Sequence, residues 1–246
     1  MDEARKLTLA LDTSMPTSSA ALLNGADVIA NRTWQAGRRH SMYLERNVRV
    51  ALAAELDHVG IVAVASGPGG FSSLRASMAF AKGLCGALDI GFVSISTPLA
   101  LAYSSPADAR SILTLVPAGS GQYFMQAFER RRGPQPLPGR DGIVGGLIKA
   151  VGECKLVPQT ALYEGLTGPV YVAGGVNPDD LDSLREASNW PVEFGVQLIA
   201  TGLARFVGLA AYADPEQAAP ISAMTAVPQY MRGAGITAPV RGWARR

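Results

Sequence analysis

Ile61-Val-Ala-Val-Ala65 is an unbroken apolar run with no polar position inside it. A strand points successive side chains to opposite faces, so a strand of this kind must be covered on both sides. The run is short, and Ser66-Gly-Pro-Gly-Gly70 ends it, which argues for a strand and against a buried helix. The chain must therefore build a sheet with a further layer on each face. Helical spacing lies on either side of the run: Leu44, Val48, Leu52 and Leu56 before it, and Leu74, Met78, Ala81, Cys85 and Leu88 after it.

The opening segment has a different period. Leu7, Leu9 and Leu11 alternate with Thr8 and Ala10, which predicts a strand with one face on a core, broken by Asp12-Thr-Ser-Met-Pro16. A second strand follows over Ser18 to Leu23. Asn24-Gly25 tolerates positive φ, so Ala26 to Trp34 returns antiparallel as a third strand. His40-Ser41 then marks the start of the first helix, and the second runs from about Ser72 to Leu88. Phe92 to Ile95 is another strand, and Thr97-Pro98 places a proline where a helix begins.

After Ser104-Ser-Pro-Ala-Asp108 the same grammar restarts. Ile112 to Val116 and Tyr123 to Phe128 read as strands, and Arg130 to Gly146 as a polar excursion rich in Pro and Gly. Val170 to Ala173 is a strand, followed by a Gly-Gly turn, a helix near Asp179 to Ala187 and a final helix over Gln197 to Tyr212. This order predicts an α/β chain of two actin-like, ribonuclease-H-like (ASKHA) lobes, each a mixed sheet flanked by helices. The expected division is 1–102 for the first lobe, with a helix at about 195–213 packing back on it, 103–194 for the second, and 214–246 for a tail. Doubly wound dinucleotide folds fit less well, because they lack the antiparallel opening.

With 48% hydrophobic and 17% charged residues among 246, the chain can bury a full core. A net charge of +2 excludes an obvious polyanion binder. Only the ending, Arg241-Gly-Trp-Ala-Arg-Arg246, is locally basic, and it reads either as a contact to RNA phosphates or as a solvated terminus. Cys85 and Cys154 lie far apart in apolar stretches, as expected of reduced thiols. The start, Met1-Asp-Glu-Ala-Arg-Lys6, carries no secretory pattern, and no apolar run approaches the roughly 18 residues of a membrane span. A soluble cytoplasmic protein is expected, with no membrane partner.

Chemistry is sparse. The glycine run turns the chain sharply from a buried strand into a helix and leaves N–H groups at the helix N-terminus; this suits a bound anion or, equally, a tight turn without ligand. Behind it, Ala76, Ala79, Gly83 and Gly86 keep one side of the helix slim. Small residues let another helix come close, at a subunit interface or within the lobe itself.

Leu11-Asp-Thr-Ser14, Gly67-Pro-Gly-Gly-Phe-Ser-Ser-Leu-Arg75 and Ala81-Lys-Gly-Leu84 together resemble the TsaB (YeaZ) family of the glycoprotease-like M22 superfamily, over about residues 7–102. Ala36-Gly-Arg-Arg-His-Ser41 is similar to that family's approach to its first helix. In the second half Pro117-Ala-Gly-Ser-Gly-Gln-Tyr123 keeps only the Tyr of the usual element, and Val227-Pro-Gln-Tyr-Met-Arg232 resembles the family's ending, so the chain looks like a divergent member.

The resemblance implies a non-catalytic partner of TsaD, the subunit that transfers threonylcarbamoyl from its adenylate to the adenosine beside the anticodon of tRNA. It also implies a possible TsaE-type ATPase partner, self-pairing when TsaD is absent, and contact with tRNA only indirectly. His40, Tyr43, Leu44, Asn47, Arg75, Met78, Ala79 and Lys82 are the expected partner surface. The transferase holds its metal through a His-x-x-x-His helix; here His40 and His58 form no such motif, so no catalytic residue and no metal site is expected. Asp12, Thr13, Ser14, Gly67 and Gly69, with Gly174 and Gly175 in Val172-Ala-Gly-Gly-Val176, sit where actin-like ATPases bind nucleotide, and are candidates for weak ATP or ADP binding. Equally, Asp12 is placed to cap its own turn. Two other readings stand beside the accessory subunit: an actin-like ATP-dependent small-molecule kinase, and an inactive metalloprotease relative with an unrelated binding role.

Overall fold

The structure is a computed structural model, and it describes residues 6–35, 40–53, 55–131, 146–164, 166–176, 181–186, 188–195, 202–214 and 225–228. The segment 36–39, most of the 130–146 excursion, residues 196–201 of the expected last helix, the Tyr230 to Arg232 ending and the basic tail lie outside these residues. The side chain of His40 lies outside them as well.

The first sheet is β1 (Leu7–Asp12), β2 (Thr17–Asn24), β3 (Asp27–Gln35), β4 (Val59–Ala65) and β5 (Gly91–Ile95). Its spatial order is β3-β2-β1-β4-β5. β1 to β3 form the expected antiparallel meander about Asn24-Gly25, while β4 pairs parallel to β1 and β5 parallel to β4. Between them run α1 (His40–Leu52) and α2 (Phe71–Leu88), with α3 (Thr97–Tyr103) after β5.

The second sheet repeats the plan. β6 (Ser111–Gly119), β7 (Gln122–Arg130), β8 (Ile148–Pro158), β9 (Val170–Gly174) and β10 (Val192–Gly195) stand in the order β10-β9-β6-β7-β8. Read from the other edge, this is the order of the first sheet, with three antiparallel strands and then two parallel ones. α4 (Leu181–Glu186) lies between β9 and β10, and α5 (Ala204–Ala213) follows.

Period decides which face each residue takes. Leu9 and Leu11 of β1, Ala20 and Leu22 of β2 and Val62 and Val64 of β4 meet Leu44, Val48, Met78, Ala81 and Cys85 of α1 and α2 on the outer face. The alternate residues Ala10, Ala21, Leu23, Ala63, Val93 and Ile95 point inward, against α5. α3 lies on the inner face of the second sheet and packs against α5, so the two lobes meet through these two helices. Tyr123, Leu113, Leu115, Val170 and Val172 form a further core on the second sheet's outer face with Leu184 of α4. Each fully buried large aliphatic side chain stabilises by about 1.5–3 kcal/mol. Ala226, beyond α5, returns to the core beneath α1 and α2.

Two expectations change, and a third falls partly outside the described residues. α1 ends at Leu52 and does not reach Leu56, because Ala53 takes a left-handed φ of 48° and its N–H closes on the Arg49 carbonyl; Leu56 stands in a separate 3-10 turn. The last helix is described only from Ala204. β8 and β10 are strands that the periodicity does not announce. Cys85 is buried and Cys154 half-buried, both free thiols.

α3 begins as its sequence dictates. Ser96 Oγ accepts from the Leu99 N–H at 3.3 Å and Pro98 occupies the first turn. All of α3 is buried, so its cap matters to both lobes. Ser96→Ala is expected to cost about 1 kcal/mol, read as a lower midpoint in urea unfolding with an unchanged slope. An unchanged midpoint would show that the cap contributes nothing.

Candidate functional site

The candidate nucleotide residues do converge, and they are already engaged. Asp12 ends β1 with its side chain fully buried. Oδ1 accepts from the Ser14 N–H at 2.9 Å and from Ser14 Oγ at 2.6 Å, an Asx turn, while Oδ2 meets no hydrogen-bond donor among the described residues. Burial pushes the Asp12 carboxyl up to about 6, against the two Ser14 hydrogen bonds, which favour the carboxylate. Thr13 Oγ1 donates to the Ser73 carbonyl at 2.7 Å and lies 2.8 Å from Ser77 Oγ, tying the turn to α2.

The glycine run is stitched down in the same way. The Gly70 N–H donates to the Ser14 carbonyl at 3.1 Å, so one donor at the start of α2 is already used by the chain itself. A Cβ at Gly69 would stand 2.5 Å from that carbonyl oxygen, which explains the glycine by close packing of loop on turn. Gly67 has a φ of 104°, accepts from the Thr97 N–H at 2.8 Å, and precedes Pro68 through a cis peptide bond.

On the second lobe, Gly174 has a φ of 150°, and a Cβ there would strike the Leu115 carbonyl. Gly175 donates its N–H to the same carbonyl at 3.1 Å. A Cβ on Gly175 would lie 2.6 Å from Met15 Cε and 3.1 Å from the Pro117 ring. Met15 of the first lobe thus fills the space between the Asp12–Ser14 turn and the Gly174–Gly175 turn. Sequence reasoning passed over it, since a methionine between a Thr-Ser pair and a proline carries no local signal.

The expected partner surface divides. Leu44 and Met78 are each 2% exposed and belong to the core of this chain, which corrects their assignment. The spacing that makes Leu74, Met78, Ala81 and Cys85 one stripe puts Met78 against the sheet, and Leu44 with Val48 does the same on α1. Arg75 and Ala79 are exposed and Lys82, Tyr43 and Asn47 half-buried, so these keep an outward face. Asn47 Nδ2 donates to the Tyr43 carbonyl at 2.8 Å, and the Arg75 guanidinium lies over the Phe71 ring at 4.9 Å. A Cβ at Gly83 or at Gly86 would have nothing within 4 Å. The small residues of α2 therefore do not serve close packing on its own sheet. Val50 and Phe71, 47% and 38% exposed, flank this face with further apolar area.

His58 is exposed and pairs with Glu55 at 3.0 Å. Among the described residues no group of His, Cys, Asp or Glu could hold a metal ion, and no helix is long and apolar enough to cross a membrane.

Two sheets of one strand order, with helices packed between and outside them, define the two-lobed actin-like class. Within that class the chain is similar to YeaZ from Pseudomonas aeruginosa, with a TM-score of 0.71, 20% identity and coverage of 92% of this chain and 100% of that one. It is also similar to an uncharacterised protein with similarity to the peptidase YeaZ from Pseudomonas aeruginosa, with a TM-score of 0.72, 21% identity and the same coverage. The family model of TsaD, the tRNA N6-adenosine threonylcarbamoyltransferase, matches residues 28–133. No curated protein matches the chain by sequence. The chain is thus TsaB-like in fold, as the glycine run and its neighbours led one to expect, and matches the TsaD model over a span that contains both outer helices.

Proposed function

We propose that the chain is a non-catalytic accessory subunit that binds and activates a TsaD-type transferase in the formation of threonylcarbamoyladenosine in tRNA. The observation that carries this reading is the outer face of α2, where Ala79 is exposed and Gly83 and Gly86 open onto free space. Small residues on an exposed helix face let a partner helix approach to about 8 Å between axes. The YeaZ fold along the chain and the match to the TsaD model across α1 and α2 support the same choice of partner. On this reading Tyr43, Asn47, Arg75, Ala79 and Lys82 rim the contact, with His40 at its edge. The same face pairs two copies when the transferase is absent, a TsaE-type ATPase joins the assembly, tRNA is met only through the transferase, and the site of action is the cytoplasm.

The lobes themselves offer little to a kinase, because Met15 stands between the two turns that would hold a nucleotide. The test is co-expression with a TsaD-type subunit, followed by transfer of threonylcarbamoyl from its adenylate to tRNA by the purified components. The expected result is a stable complex and modification that needs both chains. Free chains with no gain in modification, or ATP-dependent phosphorylation of a small molecule by this chain alone, would overturn the proposal.

A further inference from the structure

The contact between the lobes runs along α3 and α5. α5 begins beside the Asp12 turn: the Ala204 N–H donates to Ser19 Oγ at 2.8 Å, and Ser19 is the strand partner of Asp12. There Met15, from the first lobe, meets Gly175 and Pro117 of the second. About 15 Å away, at the far end of α5, lies a buried polar group of three side chains. Arg130 of β7 is 4% exposed, and its Nη2 donates to the Ser105 carbonyl at 3.2 Å and to Ser105 Oγ at 2.8 Å, just past α3. Tyr103, the last residue of α3, is 1% exposed, and Asp214, just past α5, is 7% exposed. The Tyr103 hydroxyl is pushed up to about 12, chiefly by burial, with the Ile148 backbone opposing, Asp214 raising it further and Arg130 lowering it.

Among the described residues the lobes share one continuous apolar contact. One apolar cluster runs from Ala10, Ala63 and Val93 of the first sheet through α5 and α3 to Ile112, Phe124 and Phe128 of the second. A hinge that opens must expose such surface, which is costly. Two-lobed proteins that close on a ligand keep one end of the interface free to part.

We propose that the two lobes form one rigid body, held by the continuous apolar cluster through α3 and α5 and by Met15 against Gly175, and that they do not open and close around a ligand. Gly175 is then the point of closest approach, since a Cβ there would crowd the flexible end of Met15 at 2.6 Å and the Pro117 ring at 3.1 Å. The inference does not rest on the choice of partner; a chain that failed to bind a TsaD-type subunit could still be rigid in this way.

The experiment uses the full chain with spin labels at Arg49→Cys on α1 and Glu153→Cys on β8, both exposed positions, in a Cys154→Ser background that leaves the buried Cys85 in place. The expected result is one narrow distance distribution, unchanged by millimolar magnesium ATP. Met15→Ala and Gly175→Val should each widen it about twofold or more, as loosened lobes sample a hinge motion. If Gly175→Val fails to fold, Met15→Ala decides the matter, because it removes the contact without adding bulk. A bimodal wild-type distribution, a shift on adding nucleotide, or variants as narrow as the wild type would each overturn the proposal.

Discussion

An Ala79→Glu, Gly83→Glu chain is expected to lose its affinity for a TsaD-type subunit by at least a factor of about 100 while keeping its own melting temperature within about 2 °C. The two halves of that statement have different causes. The fold is spared because Ala79 is exposed and a Cβ at Gly83 meets nothing within 4 Å, so the new side chains enter solvent. Glutamate is also a better helix former than glycine, by several tenths of a kcal/mol up to about 1. Binding suffers because a helix that packs at about 8 Å over small residues leaves no room for a glutamate. Carboxylates trapped there without a partner cost about 2–5 kcal/mol. Arg75→Ala and Lys82→Ala, at the rim, should weaken the complex by less than about tenfold and mainly at low salt. Calorimetric titration with the partner, beside a thermal melt of each variant, reads all of this. Affinity unchanged by the two glutamates would remove α2 from the interface and leave the accessory role without its surface.

Much of the molecule was legible because its periods are clean. Leu7, Leu9 and Leu11 fix a strand and its buried face, Asn24-Gly25 fixes the return, and Leu74, Met78, Ala81 and Cys85 fix how α2 sits on the sheet. β8 was not legible, and the reason is its place at a sheet edge. Lys149, Glu153 and Lys155 interrupt its apolar residues, Val151 is 50% exposed, and Gly152 takes a φ of 83° where the register with β7 slips. Solvent at an edge relaxes the alternation that a core imposes, and charges there guard against pairing with another chain. The candidate site divides along the same line. At short range, Asp12 makes its own Asx turn and Arg75 and Ala79 face outward, while Leu44 and Met78 are buried. Contacts between segments distant in sequence did not show: Thr13 on Ser73, Gly69 on Ser14, Met15 on Gly175. A motif reports its own spacing, and what presses on it from the other lobe is settled only by folding.

Asp12→Asn is expected to flatten the dependence of stability on pH. The carboxyl titrates at about 6 in the folded chain against an ordinary value of 3.8, because burial disfavours its charge. The folded state therefore holds the proton more tightly than the unfolded one. Its contribution is most favourable below about pH 4 and is lost as pH rises from there through 6, an amount on the order of 3 kcal/mol. Asparagine keeps an Oδ1 to accept from the Ser14 N–H and Oγ, and places an uncharged amide where Oδ2 has no donor. It still leaves a buried polar group poorly satisfied, at about 1–3 kcal/mol, so the gain is largest at high pH and small or negative in acid. Urea unfolding of both chains from pH 4 to pH 8 gives the difference directly, with other titrating groups cancelling between the two profiles. Profiles that diverge by about 2–3 kcal/mol, the variant being the more stable at pH 8, are the expected outcome. Parallel profiles would mean that the carboxylate has found a donor, and then Asp12 is satisfied in the folded chain and its turn carries no penalty. Divergence says instead that a costly charge is buried at the end of β1, where the chain would be more stable without it.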